Sequence, residues 1–91
     1  MHEVKIQLSS VNDVKEFVST ISCFDCGFDI DTDRSVVDAK SIMGIFSLDL
    51  SKVLALKIHS SDENEIMKIR DRIEKFIVGD PAIVVSETSG A

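Results

Sequence analysis

The sequence predicts an α+β domain in which two long helices and one short helix cover one face of a four-stranded antiparallel sheet. Three observations predict it. Large apolar residues alternate with small or polar ones in two stretches, Val4, Ile6, Leu8 near the N-terminus and Leu54, Leu56, Ile58 past the middle of the chain, as in strands with one buried face. Between and after these stretches the apolar spacing changes to three or four, giving two helical stripes. Length supplies the third: 91 residues with 44% hydrophobic and 29% charged content make one small globular domain.

The elements follow in order. The first strand ends at Leu8. Val11, Val14, Phe17, Val18 and Ile21 then share one stripe of a helix over about 11–22, with Ser9 or Ser10 available as N-cap and Asp13 suited to the positive helix end. Phe28 and Ile30 resume the alternation. Asp31-Thr32-Asp33-Arg34 is a polar, turn-forming cluster, and Val36-Val37-Asp38-Ala39 completes a hairpin.

Ser41 to Leu48 offers Ile42, Met43, Ile45, Phe46 and Leu48 in a run too short for a full helix, with Ser41 placed to cap a turn or two. The fourth strand carries Leu54, Leu56 and Ile58. Ser60 with Glu63 fits a capping box, and Ile66, Ile69, Ile73, Phe76 and Ile77 form the stripe of a closing helix to about Val78, with Gly79 and Pro81 beyond it. The domain is expected to span 1–79. Residues 80–91 read as a C-terminal extension, in which Ala82-Ile83-Val84-Val85 adds a short strand or packs on the surface and the Ser/Thr/Gly ending frays.

Charge and composition narrow the function. Sixteen acidic against ten basic side chains give a net charge of −6, so a phosphate backbone is repelled and nucleic acid is not an expected partner. No apolar run approaches the ~20 residues of a membrane span, and Met1-His2-Glu3-Val4 lacks the pattern of a signal peptide, so no membrane association and a cytoplasmic location are expected.

The segment Lys40-Ser41-Ile42-Met43-Gly44 closely resembles the serine region of HPr, the histidine-containing phosphocarrier of the bacterial sugar phosphotransferase system. The resemblance covers roughly residues 2–78 and implies the open-faced β-sandwich of that family. It further implies that Ser41 is a target for a dedicated serine kinase. Phosphorylation there adds a charge of about −1.5 to −2 at a helix start, and so acts on docking rather than on the fold. A serine in this place also serves simply as an N-cap.

Lys40, Ile42, Met43 and Phe46 match the family's partner-docking surface, with Ile45 and Leu48 left for the core; burial of all five apolar side chains is the other reading. The partners implied are proteins: a transcriptional regulator, phosphotransferase-system proteins or the kinase.

One part of the family pattern is missing. The family carries its phosphoryl group on a histidine in a Gly-Ile-His-Ala-Arg-Pro type loop after the first strand, and here that stretch is Leu8-Ser9-Ser10-Val11-Asn12-Asp13, without histidine, arginine or proline. The expectation is therefore a non-catalytic HPr-like regulatory or protein-binding module. Ser9, Ser10 and Asn12, with the free amides of the helix start, remain as a vestigial anion site. The alternative is a phosphocarrier component using a non-standard residue, Ser10, His2 or His59.

Cys23-Phe24-Asp25-Cys26 has the spacing of redox and zinc sites but no second ligand pair, and the two thiols fall at the C-terminal end of a helix, where the dipole disfavours thiolate. Asp62, Glu63 and Glu65 read as dipole-matched residues of the last helix's first turn. No metal and no cofactor are expected.

Overall fold

The computed structural model describes residues 2–79, and the expected C-terminal extension lies outside these. The chain runs β1 (His2–Ile6), α1 (Val11–Ile21), β2 (Gly27–Asp31), β3 (Val36–Asp38), α2 (Ile42–Phe46), β4 (Leu54–His59) and α3 (Glu63–Arg72). A 3-10 turn (Glu74–Phe76) and β5 (Ile77–Gly79) follow. The strands form one antiparallel sheet in the order β3-β2-β4-β1-β5.

Register decides which face each side chain takes. His2 pairs with Ile58, Val4 with Leu56 and Ile6 with Leu54, while Phe28 and Ile30 pair with Ile58 and Leu56 across β2 and β4. All the apolar members of these pairs are buried. They pack against Val14, Phe17, Val18 and Ile21 of α1 and against Ile69, Ile73 and Phe76, so the helices cover one face only. Phe17 and Phe76 meet edge to face, with ring centroids 5.8 Å apart and planes at 89°, which ties α1 to the end of the 3-10 turn.

The other face is polar. Lys57 pairs with Glu3 at 3.3 Å and with Asp31 at 3.5 Å, Lys5 pairs with Glu3 at 3.1 Å, and His59 meets Asp29 at 2.6 Å. These pairs, three of them across strands and Lys5–Glu3 within β1, keep the central strands of the wet face charged and specify which side is buried.

The α+β class and the open antiparallel sheet are as the periodicity predicts, with four corrections. The sheet has five strands, not four. The closing helix stops at Arg72, because Ile73 leaves helical geometry (φ −110°, ψ 13°) and the amide of Gln7 donates to the Phe76 carbonyl at 2.9 Å, drawing 77–79 onto β1. Its N-cap is Asp62, which accepts from the amides of Asn64 and Glu65, while the Ser60 hydroxyl donates to Glu65 at 2.7 Å. Finally, Val11 is 56% exposed and does not join the buried stripe of α1.

Candidate functional site

The segment from Asp38 to Leu48 is held by backbone and short side chains. The Asp38 carboxylate accepts from the Lys40 amide at 2.9 Å and its carbonyl from the Ser41 amide at 3.0 Å, turning the chain out of β3. Ser41 then adopts the extended conformation of an N-cap (φ −98°, ψ 108°), and its Oγ accepts from the Gly44 amide at 3.1 Å. The helix is five residues long and closes with the Leu48 amide donating to the Ile45 carbonyl at 3.0 Å.

Gly44 packs closely against its neighbours. A Cβ there would lie 3.3 Å from Ser41 Oγ and 3.5 Å from Val37 Cβ, so the cap and the end of β3 press against this turn.

Helical spacing divides the apolar side chains of α2. Ile45 is fully buried, and Ile42 and Leu48 are half-buried against the core. Met43 is 78% exposed and Phe46 39% exposed. Of the expected docking residues, then, Met43 and Phe46 face solvent and Ile42 is shared with the core.

Lys40 is placed differently from the expectation. Its ammonium donates to the Phe24 carbonyl at 2.6 Å and lies 5.5 Å from the centre of the Phe28 ring. The Phe24 carbonyl sits just past the C-terminal end of α1, a helix with no basic residue in its last turn, so Lys40 delivers a cation to the negative end of that helix. Its role in the structure is to fasten α1 to the start of α2.

The start of α1 is also already occupied. Ser10 caps it through Oγ, accepting from the Asp13 amide at 3.1 Å, and the Asp13 carboxylate folds back to accept from the Ser9 amide at 3.0 Å and the Ser9 hydroxyl at 2.8 Å. The Ser9 amide, then its hydroxyl, hold the Asp13 carboxyl below its ordinary value of 3.8. At neutral pH the expected anion position at Ser9, Ser10 and Asn12 therefore adjoins a fixed negative charge, and Ser9 and Ser10 are spent on the turn itself.

The two histidines do not come together. His2 shares the half-buried side of β1, whereas His59 stands on the polar face against Asp29, because the register pairs His2 with Ile58. Cys23 is exposed, with its thiol 3.6 Å from the Ser19 carbonyl, and Cys26 is half-buried; both are free thiols. Burial, followed by the nearby Glu65 carboxylate, pushes the Cys26 thiol up from its ordinary value. No group of three or more metal-ligating side chains occurs among the described residues.

Comparison with known proteins fixes the family. Residues 11–78, about three quarters of the chain, match the family model described as the PTS HPr component phosphorylation site. The chain belongs to the HPr family. The HPr match begins at Val11, within the stretch Leu8 to Asp13.

Two solved structures carry the same likeness. The crystal structure of HPr-C-His from Thermoanaerobacter tengcongensis is 36% identical, covers 81% of this chain and 92% of its own, and superposes with a TM-score of 0.65. The phosphocarrier protein HPr from Bacillus anthracis is 25% identical, covers 77% of this chain and 93% of its own, and has a TM-score of 0.56. No curated protein matches the chain at comparable significance. HPr proteins are phosphocarriers rather than enzymes, and their partners are phosphotransferase-system proteins. Among the described residues no helix is long and apolar enough to cross a membrane.

Sequence reasoning missed two parts of this region. Exposed Val11, at the first turn of α1, is a further apolar side chain on the surface, and its i+3 spacing to Val14 hid it among the core residues. The tether from Lys40 to Phe24 spans sixteen residues and has no local sequence signal.

Proposed function

We propose that this chain is a non-catalytic member of the HPr family, a regulatory or protein-binding module controlled by phosphorylation of Ser41. The observation that carries the reading is the exposed Met43 and Phe46 beside a capping serine in a segment matching the family's regulatory pattern. A dianionic phosphate on Ser41 changes the sign of the surface that a partner meets, while Ile45 and the tether of Lys40 keep the segment in place. The partners are proteins of the phosphotransferase system, a transcriptional regulator, and the serine kinase itself.

Loss of phosphocarrier activity rests on Leu8 to Asp13. No imidazole is present to accept the phosphoryl group, no arginine to hold it, and the Asp13 carboxylate repels it. The test is incubation with enzyme I and phosphoenolpyruvate, followed by assay of acid-labile phosphate. None is expected, and stoichiometric phosphohistidine on either histidine contradicts the reading.

One observation favours a second reading, a phosphocarrier using His59. Its Nε2 lies 2.6 Å from an Asp29 oxygen, so one ring nitrogen is held by a carboxylate on an exposed face. The same carboxylate stands close to any phosphate on the ring, which weighs against it. Acid-labile phosphate lost in His59→Gln would establish this second reading.

A further inference from the structure

The turn that joins α1 to β2 carries two thiols, and between them the carbonyl that holds Lys40. Cys23 follows the C-cap Ser22, with its amide donating to the Thr20 carbonyl at 3.2 Å and its exposed thiol turned back toward Ser19. Cys26 comes directly before β2 and packs half-buried against the core. Phe24 lies between them. Its amide donates to the Ile21 carbonyl at 3.1 Å, and its carbonyl accepts from the Lys40 ammonium at 2.6 Å.

Three peptide units span at most ~11 Å, and a disulfide needs Cα atoms within about 7 Å. The chain bends at Phe24, Asp25 and Cys26, which draws the ends of the turn together, and the exposed Cys23 side chain has room to swing away from Ser19. Lys40 is also close enough to act on Cys26: burial raises that thiol, Glu65 adds to the rise, and the Lys40 ammonium opposes it. One cation therefore grips the peptide inside the loop that a bond between Cys23 and Cys26 would close. The residue after that cation is Ser41.

We propose that Cys23 and Cys26 form a reversible disulfide, with a small-molecule disulfide as oxidant, and that closing it weakens the bond from Lys40 to the Phe24 carbonyl and so loosens the cap at Ser41. The Cys23 thiolate attacks the oxidant and releases its first thiol; the Cys26 thiolate then attacks the Cys23 sulfur and releases the second. The protons of the two protein thiols pass through solvent to the two released thiols, so one oxidant disulfide is reduced as one protein disulfide forms. Ring closure turns the peptide between residues 24 and 25. The ammonium, fixed 5.5 Å from the centre of the Phe28 ring, cannot follow the carbonyl far. This adds a second control to the segment read above as regulatory, and it is measured without kinase or partner, so either reading can fail without the other.

The experiment equilibrates the full chain, as parent and as Lys40→Met, in glutathione buffers of varied reduced-to-oxidised ratio, then quenches by alkylation and weighs the products. A monomer lighter by two hydrogens, absent in Cys23→Ser and in Cys26→Ser, is the expected product. Because coupling is reciprocal, its equilibrium constant should be about fivefold or more higher in Lys40→Met, where no bond to Phe24 is lost. In the oxidised parent the Gly44 amide, which donates to the Ser41 hydroxyl, should exchange faster by a similar factor, with no such change in Lys40→Met. A glutathione adduct on Cys23 without ring closure, or a disulfide-linked dimer in place of the monomer, overturns the proposal. So does a ring that closes equally well in parent and Lys40→Met, or one that leaves Gly44 exchange unchanged.

Discussion

Three substitutions within five residues separate a docking face from a core element. Met43 is 78% exposed, so only about a fifth of its surface is out of water. Full burial of such a side chain stabilises by ~1.5–3 kcal/mol, and the buried fraction here therefore contributes roughly 0.3–0.6 kcal/mol. Met43 is also in the first turn of α2, where an introduced carboxylate gains about 0.3 kcal/mol or more from the helix start. Met43→Glu should leave stability within ~0.5 kcal/mol of the parent.

Ile45, two residues on and fully buried, should behave differently. Ile45→Ala is expected to cost ~2–5 kcal/mol through lost transfer energy and the cavity left behind. At ~4–8 °C per kcal/mol for a domain of this size, the melting temperature falls by at least about 8 °C. Ser41→Ala, which removes the acceptor for the Gly44 amide, belongs between them at ~1 kcal/mol. Urea unfolding followed by circular dichroism reads all three. If Met43→Glu costs more than ~1.5 kcal/mol, or Ile45→Ala less than ~1 kcal/mol, the assignment of the two faces of α2 is wrong. Against a bound partner the ranking reverses: Met43→Glu should weaken binding by ~1–3 kcal/mol.

The remaining predictions concern neighbouring contacts. Lys40→Met keeps the side-chain stem but removes the charged bond to the Phe24 carbonyl, and should lower stability by ~1–2 kcal/mol in urea titration; no change would return Lys40 to the free surface. The Asp13 carboxyl is held below 3.8 by Ser9, so its contribution is present above the unfolded value and lost as pH falls through the lower folded one. Asp13→Asn should therefore flatten the loss of stability on acidification below about pH 4, and an unchanged acid profile would show that the turn at Ser9 is not formed. Cys23 should alkylate faster than Cys26 at pH 8, because burial and Glu65 keep more of Cys26 as thiol. Peptide mass spectrometry gives the order, and one zinc per chain, lost in Cys23→Ser, would contradict the account of both thiols.

Period-two and period-3.6 patterns make most of the fold legible, because Val4, Ile6, Leu54, Leu56 and the α1 stripe from Val14 to Ile21 each face a single core. The end of α3 was illegible for a physical reason. Ile73, Phe76 and Ile77 keep helical spacing, yet the Gln7 amide captures the Phe76 carbonyl, and a tertiary hydrogen bond outweighs local pattern. At Asp62 the nearer cap displaced the Ser60 box that spacing alone suggests.

In the site, Ser41 as cap and Met43 outside were readable because capping and spacing are local. The inward turn of Lys40 was not readable, since it depends on where α1 ends in space. Nor was the self-capping of Asp13, whose carboxylate reaches back to Ser9 rather than standing free.

The most direct test of the central claim is incubation of the full chain with HPr serine kinase and ATP, with phosphate located by mass spectrometry. A single phosphate on the peptide 41–52, absent in Ser41→Ala, is the predicted result. An unmodified Ser41 under conditions that fully modify a control HPr, or phosphate on another residue instead, would contradict it.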